Sequence, residues 1–208
     1  MIQTICNTLL LSMFFLPFKA NPPVICTLGS SASSYNVYED QRPTSDAMQL
    51  ARQVSAALKP LCSPNCPSLV LYRNPTAPNA ILLFDSGLAK MAYAPRFFDD
   101  VYGKYGDGAI MAIIAHMLGH ALNETTPAGW MKSEWTPELR ADAWVGCALA
   151  NVNLSMRGLQ ESLVGMSLYP SRSHPSWRVR VSALKLGYTH CGGNGSAFDK
   201  QASAVKEK

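Results

Sequence analysis

The chain has 208 residues, of which 48% are hydrophobic and 15% are charged, and its formal net charge is +4. This length supports one domain with a real core, since domains run to roughly 100–200 residues, and this composition excludes a chain that is disordered along its whole length. No run of Lys and Arg has the density or the interleaved aromatic residues that a nucleic-acid groove needs, so nucleic acid is excluded as a partner.

The first predicted element is a secretory signal peptide over residues 1–20. Leu9–Pro17 (LLLSMFFLP) is apolar but too short to span a bilayer, and the small residue Ala20 follows it. An uncleaved signal anchor is the alternative, because no Lys or Arg precedes the apolar run and Phe18 is bulky where a cleavage site prefers a small side chain. The signal peptide predicts an exported protein, periplasmic or extracellular. No segment after Asn21 resembles a transmembrane helix, so no integral membrane span is expected after the signal is removed.

A single domain over residues 43–191 is predicted to follow an irregular lead-in over residues 21–42, which is rich in Pro, Ser and Asn. An apolar stripe with Ser45 as N-cap predicts a helix that ends before Pro60. Three strands then predict a small antiparallel sheet, with Asp85-Ser86-Gly87 as the tight turn between the last two. These strands are Ser68–Tyr72, Ala80–Phe84 and Leu88–Tyr93.

The next predicted helix is apolar on nearly every face. Tyr102–Gly108 is expected to be a loop, and Ala109–Leu122 (AIMAIIAHMLGHAL), with Asp107 as N-cap, is expected to be a helix enclosed by protein. A buried helix that carries two histidines needs an explanation. The remaining predictions are a helix over Glu138–Leu149 after Thr136-Pro137, a helix over about Ser176–Leu186 ended by Gly187, and a flexible polar tail over residues 192–208.

Five of the six cysteines follow the predicted signal peptide, and this usage agrees with export. Cys62 and Cys66 are predicted to close a small turn as a disulfide, in preference to a metal clip, because no histidine lies near them in sequence. Cys147 and Cys191 are the preferred second bridge, because Cys191 follows the last helix signal and is able to return to the core helix. This pairing leaves Cys26 without a partner.

The two histidines of the buried helix, His116 and His120, are four residues apart. Both imidazoles therefore lie on one helix face, where they can bind one ion, and neutral imidazole is a good zinc ligand. The alternative is a pair of core histidines whose spacing arises by chance. Glu138 and Asp142 repeat the same spacing on the next predicted helix.

The two carboxylates have separate expected roles. One completes a His2Glu set that leaves the fourth position for water, and the other accepts a hydrogen bond from a ligand imidazole and so fixes its tautomer. For Glu138 the alternative is a charge at a helix N-terminus that the macrodipole favours. Asp142 has Ala141, Ala143 and Trp144 as its sequence neighbours, where an unpaired charge would be costly.

Taken in order, these motifs resemble the HtpX and CAAX-prenyl-protease family of zinc metallopeptidases, and they are similar to the bacterial neutral zinc metallopeptidases as well. The strings are IIAHMLGHAL (113–122), ELRAD (138–142) and His174-Pro-Ser-x-x-x-Arg180, and the resemblance covers roughly residues 80–187. It implies an α+β, zincin-like domain with a small antiparallel sheet packed on helices. It also implies a set of zinc ligands with one outer partner: His116, His120 and Glu138 as ligands, and Asp142 behind them.

The resemblance extends to two residues further along the chain. His174 and Arg180 match a segment that lies near the catalytic centre in that family, which implies contacts with the transition state. The alternative is a helix entry at His174-Pro175 and a surface ion pair at Arg180. In zincins an edge strand receives the substrate as an added strand, and Leu88–Tyr93 is the candidate here.

Met117 departs from the family pattern. In the family, this position holds a glutamate that moves a proton from zinc-bound water to the leaving amine, a contribution of typically about 10²–10⁴-fold. Methionine cannot accept a proton. Because this position is not a ligand, loss of the base does not require loss of the metal. Glu124, Glu134 and Glu161 are other carboxylates, but no sequence argument places them beside the metal.

We therefore expect an exported zinc-binding metallopeptidase homologue with weak or no hydrolytic activity, which serves as a regulatory module or binds a peptide or an unfolded protein segment. The first alternative is an active zinc metalloendopeptidase that uses another base. The second is a disulfide-stabilised structural protein without metal.

Overall fold

A computed structural model of the chain describes residues 22–29, 32–126, 128–168 and 174–205. The predicted signal peptide lies outside these ranges. The α+β class is confirmed, since the described residues form one four-stranded sheet and seven α-helices. No helix in these ranges is both long enough and apolar enough to cross a membrane. The strands are β1 Val24–Leu28, β2 Ser68–Arg73, β3 Ala80–Asp85 and β4 Leu88–Tyr93, and the helices are α1 Ser45–Cys62, α2 Pro95–Tyr105, α3 Asp107–Thr125, α4 Pro137–Asn151, α5 Met156–Ser167, α6 Trp177–His190 and α7 Gly195–Ala202.

The sheet is mixed, so the prediction of an antiparallel sheet was wrong in one pairing. Its strand order is β1-β3-β4-β2. β3 and β4 form the expected hairpin, in which Ser86 and Gly87 both adopt the positive φ that suits a two-residue turn. β2 instead pairs in parallel with the far side of β4. The sequence located β2, β3 and β4 along the chain, but it carried no information about which strand lies beside which.

The edge-strand expectation is also corrected by this order. β4 has β3 on one side and β2 on the other, so Leu88–Tyr93 is an interior strand and has no free edge for a substrate. The outer strands are β1 and β2. β1 lies within residues 21–42, which were predicted to be irregular; it pairs antiparallel with β3, and Cys26 and Leu28 are its buried residues.

Three helices, α2, α5 and α7, were missed, and the four predicted helices all end later than predicted. α2 covers much of the predicted loop over Tyr102–Gly108, with Pro95 in its first turn, and α5 had no predicted counterpart. α1 continues through Pro60 to Cys62. α6 continues through Gly187 because that glycine lies at the crossing with α4, where a Cβ atom would meet the Ala143 carbonyl oxygen at 1.8 Å.

The tail over residues 192–208 is not flexible throughout, because α7 forms within it. Asn194 caps this helix by accepting a hydrogen bond from the Ala197 amide. Phe198 is fully buried, and its ring centroid lies 5.4 Å from that of Tyr188 on α6. Phe198 thus docks on α6 a short helix whose other residues are small or polar.

α3 is the centre of the core. Its residues from Gly108 to Leu122 are all buried, as the apolar sequence predicted, and it packs against α1, α4, α5 and the sheet. Disulfides join the predicted cysteine pairs, with sulfur–sulfur distances of 2.10 Å for Cys62–Cys66 and 2.04 Å for Cys147–Cys191. The second bridge joins α4, which carries Glu138 and Asp142, to the end of α6, which carries Arg180.

Candidate metal centre

Four potential metal-ligand side chains converge from three elements of the fold. Cys26 comes from β1, His116 and His120 come from adjacent turns of α3, and Glu138 comes from the first turn of α4. Their sulfur, nitrogen and oxygen atoms all lie within 4.8 Å of one another. Cysteine, histidine and glutamate are all common ligands of transition metals, so this group is able to hold a metal ion.

The distances within this group match those of a coordination shell. His116 Nε2 lies 3.2 Å from His120 Nε2, and Glu138 Oε2 lies 3.2 Å from the former nitrogen and 3.4 Å from the latter. A tetrahedral metal with bonds of about 2.0–2.1 Å to nitrogen or oxygen separates its ligand atoms by about 3.3–3.4 Å. The three separations therefore leave room for one ion at their centre.

The Glu138 carboxylate has an unusual environment. Its Oε2 atom is buried and has no hydrogen-bond partner among the described residues, although imidazole nitrogens surround it. A buried, unpaired carboxylate oxygen is costly unless another group satisfies it. Burial would raise the pKa of this carboxyl group, but His116, His120 and His174 outweigh burial and hold the pKa far below its usual range. The ionised, acceptor-only oxygen is suited to a cation.

Asp142 determines which nitrogen of His116 faces the group. Its Oδ1 atom lies 3.0 Å from His116 Nδ1, and both side chains are fully buried. Burial would raise the pKa of the Asp142 carboxyl group, but the Arg180 guanidinium lowers it, so the carboxylate is ionised and accepts only. His116 Nδ1–H therefore donates to Asp142, and its Nε2 atom faces the group, the orientation that a metal-ligating histidine requires.

Arg180 holds Asp142 rather than facing the metal-ligand atoms. Its Nε atom donates to Asp142 Oδ2 at 2.8 Å, and its Nη2 atom donates to Asp142 Oδ1 at 2.8 Å. Nη1 donates to the Met166 carbonyl at 2.7 Å. These bonds fix a buried, two-pronged arginine–carboxylate pair, in which Arg180 positions Asp142.

His174 lies at the border of the group. Its Nε2 atom lies 2.9 Å from Glu138 Oε2 and 3.3 Å from His116 Nε2, and the side chain is buried. The structure thus brings His174 to the same group of side chains as Glu138 and His116. The group of four mutually close donors nevertheless consists of Cys26, His116, His120 and Glu138.

Cys26 is the member that the sequence did not predict. Burial would raise the pKa of its thiol, but hydrogen bonds with His116, His120 and His174 outweigh burial and lower the pKa well below the ordinary value. Within the described residues it is the cysteine outside a disulfide. The available signal was the odd number of cysteines after the predicted signal peptide, since one thiol is then left outside any disulfide.

Met117 and the acidic residues Glu134 and Glu161 contribute no ligand atom to the group of four donors among the described residues. Met117 is fully buried and belongs to the hydrophobic core. Glu161 accepts a hydrogen bond from Arg157, and Glu134 accepts one from Ser133. The carboxylates in contact with the histidines are Glu138 and Asp142.

Comparison with known proteins adds no relative to this description. No family model, curated protein or solved structure matches the chain.

Proposed function

We propose that this chain is an exported zinc-binding homologue of the metallopeptidases that has weak or no hydrolytic activity and serves as a regulatory or peptide-binding module. The observation that supports the metal site is the convergence of His116, His120 and Glu138, with Asp142 fixing one imidazole. The observation that supports weak hydrolysis is that Met117, a buried apolar residue, stands where a metallopeptidase has its glutamate.

Zinc is the ion that best fits the donors. A mixed set of imidazole nitrogen, carboxylate oxygen and sulfur suits a borderline-soft ion, and the donor separations suit tetrahedral coordination, which zinc adopts in most protein sites. Calcium and magnesium prefer oxygen ligands in larger number, so this set disfavours them. The zincin-like fold that the motifs imply is part of the same proposal, with the metal held between α3 and α4.

Each residue of the site has a role in this proposal. His116, His120 and Glu138 bind the metal, and Asp142 and Arg180 hold His116 in the required tautomer and orientation. In an open three-ligand site, bound zinc supplies Lewis-acid activation of a water molecule. Use of that water in hydrolysis also needs a group that accepts its proton, and a methionine thioether is not such a group.

An active peptidase with a different base is the second candidate, and His174 favours it. This imidazole lies 2.9 Å from Glu138 Oε2, so it is a titratable side chain already at the site. One assay distinguishes the two candidates. An active enzyme that uses His174 as its base should lose turnover in His174→Ala, whereas a protein without hydrolytic activity shows no turnover before or after this change.

A peptide segment is the partner in this proposal, and the sheet offers β2 as the edge for it. β4 is interior, and β1 carries Cys26 into the metal-ligand group. An extended peptide added to β2 would gain backbone hydrogen bonds in the way that other sheet edges bind peptides.

The test combines metal content with a restored base. Elemental analysis of protein purified without chelators should find one zinc per chain. Met117→Glu in a Cys26→Ala background should then raise hydrolysis of an unfolded protein substrate above that of Cys26→Ala, by up to about 10²–10⁴-fold, the usual contribution of a general base. His120→Ala added to that variant should abolish the gain.

Two results would contradict the proposal. Protein that contains no zinc and whose melting temperature does not rise with added zinc has no such site. Measurable turnover in the unchanged chain, equal to or above that of Met117→Glu in the Cys26→Ala background, would mean that the chain is an active peptidase.

A further inference from the structure

We propose that the Cys26 thiolate is the fourth ligand of the metal and closes the coordination shell that His116, His120 and Glu138 leave open. This inference rests on the metal site of the proposed function, and it adds an element of the fold, β1, to that site. Its consequence is a closed centre in which sulfur stands where a metallopeptidase keeps water.

The donor geometry carries the inference. Three of the four donor atoms are separated by 3.2–3.4 Å, and the Cys26 sulfur lies within 4.8 Å of each of them. A zinc–sulfur bond is about 2.3 Å, longer than a zinc–nitrogen bond, so sulfur is expected to lie somewhat further from the other ligand atoms than they lie from one another. Four such donors complete a tetrahedron, which is the arrangement of structural rather than catalytic zinc sites.

The backbone of β1 is shaped to present this side chain. Val24 pairs with Leu83 and Cys26 pairs with Leu82, so Ile25 is an extra residue on β1 and forms a β-bulge directly before the cysteine. Bulges bend a strand and re-aim the side chains beside them. Cys26 and Leu28, which follow the bulge, are the two buried side chains of the strand. The bulge therefore lies at the point where the strand must turn its thiol towards α3.

His174 is the competing fourth ligand, and the distances disfavour it. Its Nε2 atom lies 2.9 Å from Glu138 Oε2, which is shorter than the separation of about 3.3–3.4 Å that two ligands of one tetrahedral ion keep. It also lies outside the group of four mutually close donors. His174 thus lies beside Glu138, and the fourth position is left to Cys26.

The surroundings of Cys26 suit a metal ligand. Its buried sulfur lies beside the imidazoles of His116 and His120. The thiolate is the form that binds metals, whereas a buried thiol in apolar surroundings is inert. A free cysteine in an exported chain with two disulfides is otherwise exposed to oxidation, and metal ligation gives it a stable partner.

Cobalt substitution tests the inference on the unchanged chain. Co²⁺ bound by a thiolate has an intense sulfur-to-metal charge-transfer absorption in the near ultraviolet, whereas Co²⁺ bound by nitrogen and oxygen alone lacks it. The cobalt-loaded wild type should show this band, and Cys26→Ser should lose it. Zinc affinity, measured by competition with a chelator, should fall in Cys26→Ser by more than the roughly 10–100-fold that an outer partner contributes.

Two matched variants serve as comparisons. Leu28→Met changes the other buried side chain of β1 without touching a donor, and cores tolerate such volume-conserving exchanges best, so it should keep both the band and the affinity. His174→Ala should keep the band. Circular dichroism and urea unfolding of each variant separate a lost ligand from a lost fold.

The outcomes distinguish this inference from the proposed function. Wild type that binds neither zinc nor cobalt overturns the proposed function and this inference with it. Wild type that binds metal without the charge-transfer band, and folded Cys26→Ser that retains wild-type affinity, overturn this inference alone. Loss of the affinity in His174→Ala but not in Cys26→Ser would assign the fourth position to His174 and overturn it as well.

Discussion

Replacement of Asp142 by asparagine is the sharpest test of how the fold supports the site. Asp142 is fully buried; its Oδ1 atom accepts from His116 and from Arg180 Nη2, and its Oδ2 atom accepts from Arg180 Nε. An asparagine oxygen can keep the Oδ1 position. Its NH₂ group must then replace Oδ2 and face the Arg180 Nε–H donor from 2.8 Å, so two donors oppose each other and the guanidinium is left without a counter-charge.

The expected magnitudes follow from these contacts. Removal of one partner of a buried ion pair typically costs about 3–5 kcal/mol, because the other charge stays buried and uncompensated. The affinity for zinc should fall by about 10–100-fold, the usual contribution of an outer partner, which corresponds to about 1.4–2.8 kcal/mol. The site should be weakened but still present, because Asp142→Asn removes none of the donor atoms.

The assay is urea unfolding of metal-free protein together with chelator competition for zinc. Asp199→Asn is the matched control, since Asp199 pairs with Lys185 at the surface and exposed pairs contribute only about 0–1 kcal/mol. The pH dependence has a defined sign. The pKa of Asp142 is lowered in the folded state, so its stabilisation is present above the unfolded value of about 3.9 and is lost as the pH falls through the folded value.

The difference in stability between wild type and Asp142→Asn should therefore be full at pH 7 and shrink in acid. Wild-type zinc affinity in a folded Asp142→Asn protein would refute the reasoning, because it would show that the His116–Asp142 contact does not orient a ligand. A stability equal to wild type at pH 7 would refute the buried ion pair itself.

Two further substitutions test the packing around the site. Gly187→Ala should lower zinc affinity and destabilise the protein by about 1–3 kcal/mol or more, the range typical of overpacking, because the new Cβ would lie 1.8 Å from the Ala143 carbonyl oxygen and force α4 away from α6. Gly103→Ala on α2 is the control, since its Cβ would meet nothing within 4 Å. It should be neutral or should stabilise the protein by about 0.5–1 kcal/mol. Thermal unfolding decides this, and equal melting temperatures for the two variants would contradict it. Phe198→Ala should cost about 3–5 kcal/mol, since this ring is fully buried, and a loss below about 1 kcal/mol in urea unfolding would mean that α7 does not dock as described.

The parts of the site that lie on one helix were predictable from sequence. Helix periodicity alone places His116 and His120 on one face, and the structure brings their Nε2 atoms to 3.2 Å. The same period brings Glu138 and Asp142 to the histidines with the two expected roles, one at the donor group and one at His116 Nδ1. Such pairs need only local geometry and a buried environment, and both are visible in the apolar sequence of α3 and α4.

The parts that depend on distant segments were not predictable. Cys26 reaches α3 from a strand 90 residues earlier, in a segment whose Pro, Ser and Asn content conceals five strand residues. The parallel pairing of β2 with β4 depends on strand order, which hydrophobic alternation does not encode. Gly187 predicts a helix end by local propensity, but tertiary packing overrides it, because only glycine permits the close approach of α4 and α6.

Met117 and Cys26 bear on the same chemical question from separate positions in the sequence. A general base at position 117 is useful only if a water molecule occupies the fourth position of the metal. If Cys26 occupies that position, a glutamate at 117 would have no proton to accept and would instead be a buried charge that needs a partner. Methionine is then the residue that packing favours, since α3 is buried at this point and a flexible apolar side chain fills the core. The dependence of a base at position 117 on the removal of Cys26 is testable with the single and double variants. Met117→Glu alone should remain inactive and lose stability, whereas the same change with Cys26→Ala should regain hydrolysis, because only removal of the thiol gives the carboxylate a water molecule to act on.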